Sequence, residues 1–120
     1  DGMVVVSDRL ELLPPERQDL VARTLALTGG EVTVVDLFER ALPRVLVSRH
    51  ADRVDVAVVN LGDGPCSGRV DLAAAGIDDT WVSGELREHW TGRVVSSGPD
   101  HVDLGEVAPH GCGLVQLRRR

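Results

Sequence analysis

The chain opens on an unbroken apolar run, Met3-Val4-Val5-Val6, closed by Ser7-Asp8. Contiguous apolar residues, most of them β-branched, with no polar alternation fit a strand over 3–7 buried on both faces, as in parallel sheets flanked by helices. Leu10-Glu11-Leu12-Leu13 and Pro14-Pro15 follow, and Pro15 suits the first position of a helix, where its missing N–H has no intrahelical partner in any case. Leu20, Val21 and Leu25 then lie on one stripe, with Glu16 and Asp19 near the positive N-terminal end and Thr28-Gly29-Gly30 as the stop. This pattern predicts a helix over 15–27.

From Glu31 onward the period changes. Short Val-rich runs are separated by Gly, Pro and Asp at intervals of roughly 8–12 residues, the spacing of an antiparallel sandwich or barrel. Strands are expected at 32–35, 45–49, 54–60, 68–72, 81–86, 89–95, 101–104 and 113–117. In the third of these, Val54, Val56 and Val58 share one face and Asp55 and Ala57 the other, which reads as half-burial. Asp52-Arg53 is expected to make the turn before it, and Leu61-Gly62-Asp63-Gly64-Pro65 the turn after it, with glycine relieving positive-φ positions. The fold class is therefore mainly β: an antiparallel Greek-key β-sandwich of about eight strands over 31–120, preceded by one strand and one α-helix within 1–30.

Composition excludes several functions. A chain of 120 residues sustains one full core, and no apolar run approaches the ~20 residues needed to cross a bilayer, so no membrane role is expected. Nineteen acids against thirteen bases, all arginine, give a formal charge of −6; no nucleic-acid partner is expected, since backbone binding needs a cationic stripe. Phe38, Trp81 and Trp90 are the only aromatic rings of the Phe, Trp and Tyr kind, few for a surface that stacks sugars or bases. Trp90, alone among the polar neighbours Glu88-His89 and Thr91-Gly92, is expected to anchor the core. Arg118-Arg119-Arg120 reads as a solvated terminus.

Candidate chemistry is sparse. His50, His89, His101, His110, Cys66 and Cys112 show no close-spaced ligand pair, so no metal and no cofactor are expected. Cys66 is expected in a turn and Cys112 at the entry to the last strand, both as free thiols. No Gly-x-Ser-x-Gly elbow occurs, and Ser96-Ser97-Gly98 reads as a turn. Asp36 with Glu39, Asp78 with Asp79, and Glu85 with Glu88 are paired acids in principle, but acids near turns are mostly solvated. Gly62, Gly64 and Gly68 do not join a strand to a helix, so no phosphate-cradling loop is implied. Two free thiols and the lack of a signal peptide in the stretch point to a cytoplasmic setting, and the abrupt apolar start reads as that of a piece cut from a longer protein.

The order of the later motifs says more. Val58-Val59-Asn60, then Val70-Asp71-Leu72-Ala73-Ala74-Ala75-Gly76-Ile77, then Trp81 through Trp90-Thr91-Gly92, and finally Val107-Ala108-Pro109-His110-Gly111-Cys112 together resemble the C-terminal β-sandwich of melibiase, or α-galactosidase-type, glycoside hydrolases. Met3 through Asp8 resembles the last strand of their (β/α)₈ barrel, and 15–27 the final barrel helix, so the resemblance covers nearly the whole chain. This chain has Val59 and Leu61 where the family commonly has an aromatic and a Trp around the Asn, and Trp81 where a Tyr is usual.

The resemblance implies that 1–30 is a barrel remnant and 31–120 a non-catalytic sandwich that stiffens the barrel. Retaining hydrolysis there uses two aspartates on earlier barrel strands, so no catalytic residue is expected here and the isolated chain is expected to be inactive. Asp8, at the end of the barrel-like strand, is implied to border the parent's substrate pocket. Asn60, Trp90 and His110 are read as structural, His110 as held between Pro109 and Gly111 and bonded to a neighbouring loop's backbone. The implied partners are the upstream catalytic barrel and, for an isolated chain, a second copy joined as a homodimer through the N-terminal strand or helix unless that segment folds back on the sandwich. A different class, a free-standing carbohydrate-binding or interaction module, is favoured if Trp81 and Trp90 are exposed. A third, a small hydrolase in its own right, needs two acids converging in a pocket.

Overall fold

The Val-rich runs after Gly30 become eight strands in the structure, a computed structural model that describes residues 9–81 and 84–119. They are β1 (Glu31–Val34), β2 (Val45–Arg49), β3 (Arg53–Val59), β4 (Cys66–Asp71), β5 (Leu86–Arg87), β6 (Val94–Ser97), β7 (His101–Val107) and β8 (Cys112–Arg118). Two antiparallel four-stranded sheets result, ordered β1-β2-β3-β8 and β4-β7-β6-β5. The chain leaves the first sheet after β3, and β5, β6 and β7 meander back to place β7 beside β4. It then returns through β8 to β3, which is the Greek-key connection expected of such a sandwich.

Alternation selects the buried face. Along β4 the pattern is strict, with Cys66, Gly68 and Val70 buried and Ser67, Arg69 and Asp71 exposed. Val47, Val54, Val56, Val58, Val115 and Leu117 from the first sheet meet Val70, Leu86, Val95, Val102, Leu104 and Val107 from the second in one core. Leu72, Ala75 and Ile77 extend it beyond β4, where Asp71 accepts the Ala74 N–H at 2.9 Å and the Ile77 N–H returns to the Leu72 carbonyl at 2.8 Å. Register is continuous across β1, β2, β3 and β8. Between β4 and β7 it slips at Gly68, where an added Cβ would stand 2.6 Å from the Gly105 carbonyl oxygen.

Two strand assignments fail for physical reasons. The strand expected at 81–86 is not seen in its described part before Leu86: Asp78 accepts the Thr80 N–H and hydroxyl, opening a single 3-10 turn over Asp79–Trp81, Gly84 sits at φ 75°, and pairing starts only at Leu86. Residues 89–95 begin as a tight turn, because Glu88 accepts the Trp90 and Thr91 amides and Gly92 adopts φ 71°; pairing resumes only at Val94. Smaller corrections follow the same logic. Arg53 opens β3, and Ala51 and Asp52 turn the chain. Cys66 starts β4 instead of lying in the turn. Gly62 and Gly64 do not take positive φ, because Asn60 holds that turn.

The chain divides into two compact units, Asp1–Gly30 and Glu31–Arg120. In the first, α1 (Pro15–Leu25) starts with Pro15 in its first turn and carries an Arg23–Asp19 ion pair at 2.8 Å. It stops two residues short of the expected end, since the Leu27 and Thr28 amides turn to the Thr24 and Leu25 carbonyls and Gly29 takes φ 91°. None of its residues is buried. Met3–Val6 and Asp8, and with them the expected strand at 3–7, lie outside the described residues. Among those described, no helix is long and apolar enough to cross a membrane.

Candidate functional site

Among the described residues, four convergences of polar groups in the sandwich bear on function. The first is Asn60, 1% exposed at the end of β3. Its amide nitrogen donates to the carbonyls of Gly64 at 2.8 Å, Val107 at 3.0 Å and Ala108 at 3.1 Å, and its oxygen accepts the Gly62 N–H at 3.0 Å. One side chain thus ties the β3–β4 turn to the β7–β8 turn. His110 lies on that second turn, exposed, at φ 55°, with Nε2 3.2 Å from Asp63 Oδ1. The positive φ falls on His110 and not on Gly111, and its partner is the neighbouring loop's carboxylate, not backbone.

The second place is the turn after β5. Glu88, 5% exposed, takes the Trp90 N–H at 3.1 Å and the Thr91 N–H and hydroxyl at 2.7 Å on Oε2, and the Leu114 N–H at 3.2 Å on Oε1. Desolvation, the largest influence, pushes its carboxyl up, but the hydrogen bonds from Thr91, Trp90 and Leu114 together outweigh it and hold it below the usual glutamate range. Glu88, Thr91, Arg93, Glu106 and Cys112 line a cleft of about 190 Å³. Trp90, on the same turn, is half-buried and edge-on to His89 with ring centroids 4.7 Å apart. The core expectation assigned to Trp90 is therefore wrong. It is Trp81, at the end of the 3-10 turn, that packs against the core, while Trp90 rides on a turn capped by Glu88.

Cys112 is exposed as a residue, yet desolvation around its sulfur raises the thiol, helped by the Glu88 charge and opposed by a hydrogen bond from the Trp90 side chain. A raised thiol holds little thiolate at neutral pH. Alkylation by iodoacetamide near pH 7, located by mass spectrometry, is therefore expected to be several-fold slower at Cys112 than at free cysteine; a faster rate would contradict this. Cys66 is also a free thiol, and it is buried.

The third place brings Ser48, His50 and Asp55 together on the first sheet. His50 Nε2 lies 3.2 Å from Ser48 Oγ and 3.0 Å from Asp55 Oδ2. A nucleophile relay needs the serine and the carboxylate on opposite ring nitrogens, and here both share one. Asp55, 3% exposed, also accepts from Arg53 at 3.1 Å and from Gln116 at 3.1 Å. Half-burial of β3 therefore fails at Asp55: three side chains close over the outward carboxylate.

The fourth is a shallow cavity of about 470 Å³ lined by Asp78, Asp79, Thr80 and Arg119. Hydrogen bonds from the Thr80 hydroxyl and amide hold the Asp78 carboxyl below its ordinary range, and the Arg119 guanidinium sits 4.6 Å over the Trp81 ring. Arg119 is thus stacked on an indole where a frayed end was expected. Phe38, 97% exposed, is the openly presented ring among the described residues.

The paired acids resolve separately. Asp36 is buried and closes the β1–β2 connection by accepting the Arg44 and Val45 amides at 2.9 and 3.0 Å. Glu85 pairs with Arg87. Among the described residues no group of three or more His, Cys, Asp or Glu side chains is arranged to hold a metal ion. The buried roles of Asp36, Asp55 and Glu88 escaped the sequence reading. Glu88-x-x-Thr91-Gly92 was the available signal, a carboxylate set to cap the turn that follows it.

No family model matches the chain, and no curated protein matches it. Solved structures do. A GH27 β-L-arabinopyranosidase from Geobacillus stearothermophilus superposes on 63% of this chain and 17% of its own, with TM-score 0.52 and 22% identity. An Anoxybacillus α-amylase superposes on 88% and 21%, with TM-score 0.57 and 16% identity. AmyP, solved with maltose, superposes on 88% and 22%, with TM-score 0.58 and 16% identity. At these identities the likeness is one of fold, and the chain spans about a fifth of each of those proteins.

Proposed function

We propose that this chain is the non-catalytic β-sandwich of a glycoside hydrolase of the melibiase, α-galactosidase-like, type, and that it stiffens a catalytic barrel belonging to the same polypeptide. The observation that carries the reading is the use to which the buried carboxylates are put. Asp36 and Glu88 spend their oxygens on backbone amides, and Asp55 on Arg53, His50 and Gln116. A carboxylate whose oxygens are already engaged by several of the protein's own donors is poorly placed to meet a substrate, and this supports a sandwich that assists chemistry conducted elsewhere. The recurrence of this fold as a part of carbohydrate-active enzymes adds to the reading.

On this proposal residues 1–30 are the last strand and helix of the barrel, and Asp8 borders its substrate pocket. Asn60 and Trp90 hold turns, and His110 spans between two of them. Half-burial of both indoles, one under Arg119, argues against a free-standing sugar-binding module.

The test is direct. The purified chain is expected to leave aryl α-galactosides intact, and to associate as a concentration-dependent dimer in sedimentation through its apolar N-terminal run. The polypeptide encoded upstream is expected to supply a barrel with two essential aspartates. Turnover by the isolated chain would overturn the proposal.

A further inference from the structure

Among the described residues, one of the places where the two sheets of the sandwich are joined runs through a carboxylate. β5 is two residues long and pairs with β6. Immediately after it, Glu88 bridges to Val115 of β8, the His89 N–H donates to the Leu114 carbonyl at 2.7 Å, and Glu88 Oε1 accepts the Leu114 N–H. The other oxygen gathers the amides of Trp90 and Thr91 and the Thr91 hydroxyl. The turn is folded around the same group that fastens it to the other sheet.

We infer that Glu88 is an acid-sensitive latch: its charged carboxylate holds the 88–92 turn on β8, and protonation releases that turn and opens the adjoining cleft without unfolding the sandwich. Neutralising an oxygen that accepts several N–H and O–H donors weakens all of those bonds together, since hydrogen bonds to a charged acceptor are about twice as strong as neutral ones. The groups facing it are Arg93 beside β6, Glu106 on β7 and Cys112 on β8, with His89 next in the chain. Arg93 is engaged with the Leu104 carbonyl at 2.6 Å. The carboxyl is held below its ordinary value in the folded chain. The latch contribution is therefore complete above the unfolded glutamate value, about 4.3, and is lost as pH falls through the lower folded value.

Amide hydrogen exchange of the 120-residue chain, followed by NMR and referred to intrinsic rates at each pH, tests this. Between about pH 6 and pH 3, protection at Trp90, Thr91 and Leu114 is expected to fall at least tenfold relative to amides in β3. In Glu88→Gln the three amides are expected to exchange faster, and equally so at both pH values. Thr91→Val keeps the titrating group but removes one donor, and is expected to move the loss to higher pH, which carries the test if Glu88→Gln does not fold. Equal loss at all amides, unchanged protection at the three, or a pH response surviving in Glu88→Gln would overturn the inference.

Discussion

Asn60→Ala is expected to lower the stability of the sandwich by about 3 kcal/mol, the cost of leaving several buried backbone groups without partners at once. The side chain serves the carbonyls of Gly64, Val107 and Ala108 and the N–H of Gly62, and at 1% exposure there is no room for bulk water to replace it. For a domain of this size the loss corresponds to a melting temperature lower by on the order of 10 °C or more. Asn60→Asp has the same shape but exchanges the donors for a buried charge, and is expected to cost at least as much. The contrast is His110→Gly, which removes an exposed contact to Asp63 and relieves a positive φ, and is expected to leave stability within about 0.5 kcal/mol. Thermal melts of the three variants check this. An Asn60→Ala melting temperature within two or so degrees of the parent chain would show that the two turns are held by something else.

Gly68→Ala is expected to be comparably damaging, by overpacking instead of lost bonds. The new Cβ would fall 2.6 Å from the Gly105 carbonyl oxygen, 2.8 Å from Leu104 Cβ and 3.2 Å from Val107 Cγ2. Two of those three are backbone-anchored atoms that cannot swing aside, so β4 must move off β7 at the place where their register shifts. Insertions into a packed interior cost about 1–3 kcal/mol and sometimes more, and the upper end applies here. Gly64→Ala adds the same methyl where nothing lies within 4 Å, so it is expected to be near neutral. Urea midpoints of the pair make the comparison, and equal midpoints would refute the packing argument.

How these sites relate to the sequence differs residue by residue. Asn60 was singled out by resemblance, and its burial gives that choice a physical content. Gly68 was read as the first residue of an expected strand and as one that opens no phosphate loop; nothing local announces that Gly105, far along the chain, passes within touching distance of it. Asp36, Asp55 and Glu88 looked like solvated acids because composition records a carboxylate and not its donors. Those donors come from elsewhere: Arg44 eight residues after Asp36, Gln116 on another strand from Asp55, Leu114 across the sandwich from Glu88.

The same distinction divides the fold. The Val-rich runs at 45–49, 54–60, 68–72, 101–104 and 113–117, the proline opening of α1 and the stop at Gly29 were readable from the chain, to within a few residues of the strand ends, because each depends on dihedral preferences and on which side chains share a face over a few residues. From those follow the class of the fold and most of its strands. Residues 79–95 were not readable in that way. Trp81, Leu86 and Val95 have strand-like neighbours, but Asp78 and Glu88 offer the backbone turn bonds that compete with a ladder, and the Glu88 turn is secured only once β8 presents the Leu114 amide. The sequence favoured the other indole: Trp90 stands alone among polar neighbours and was expected in the core, yet it is Trp81 that packs against it in the folded chain. Local preference determines which segments pair and which face turns inward; partners far apart in sequence decide where the chain turns, which acids are buried, and where a single methyl cannot fit.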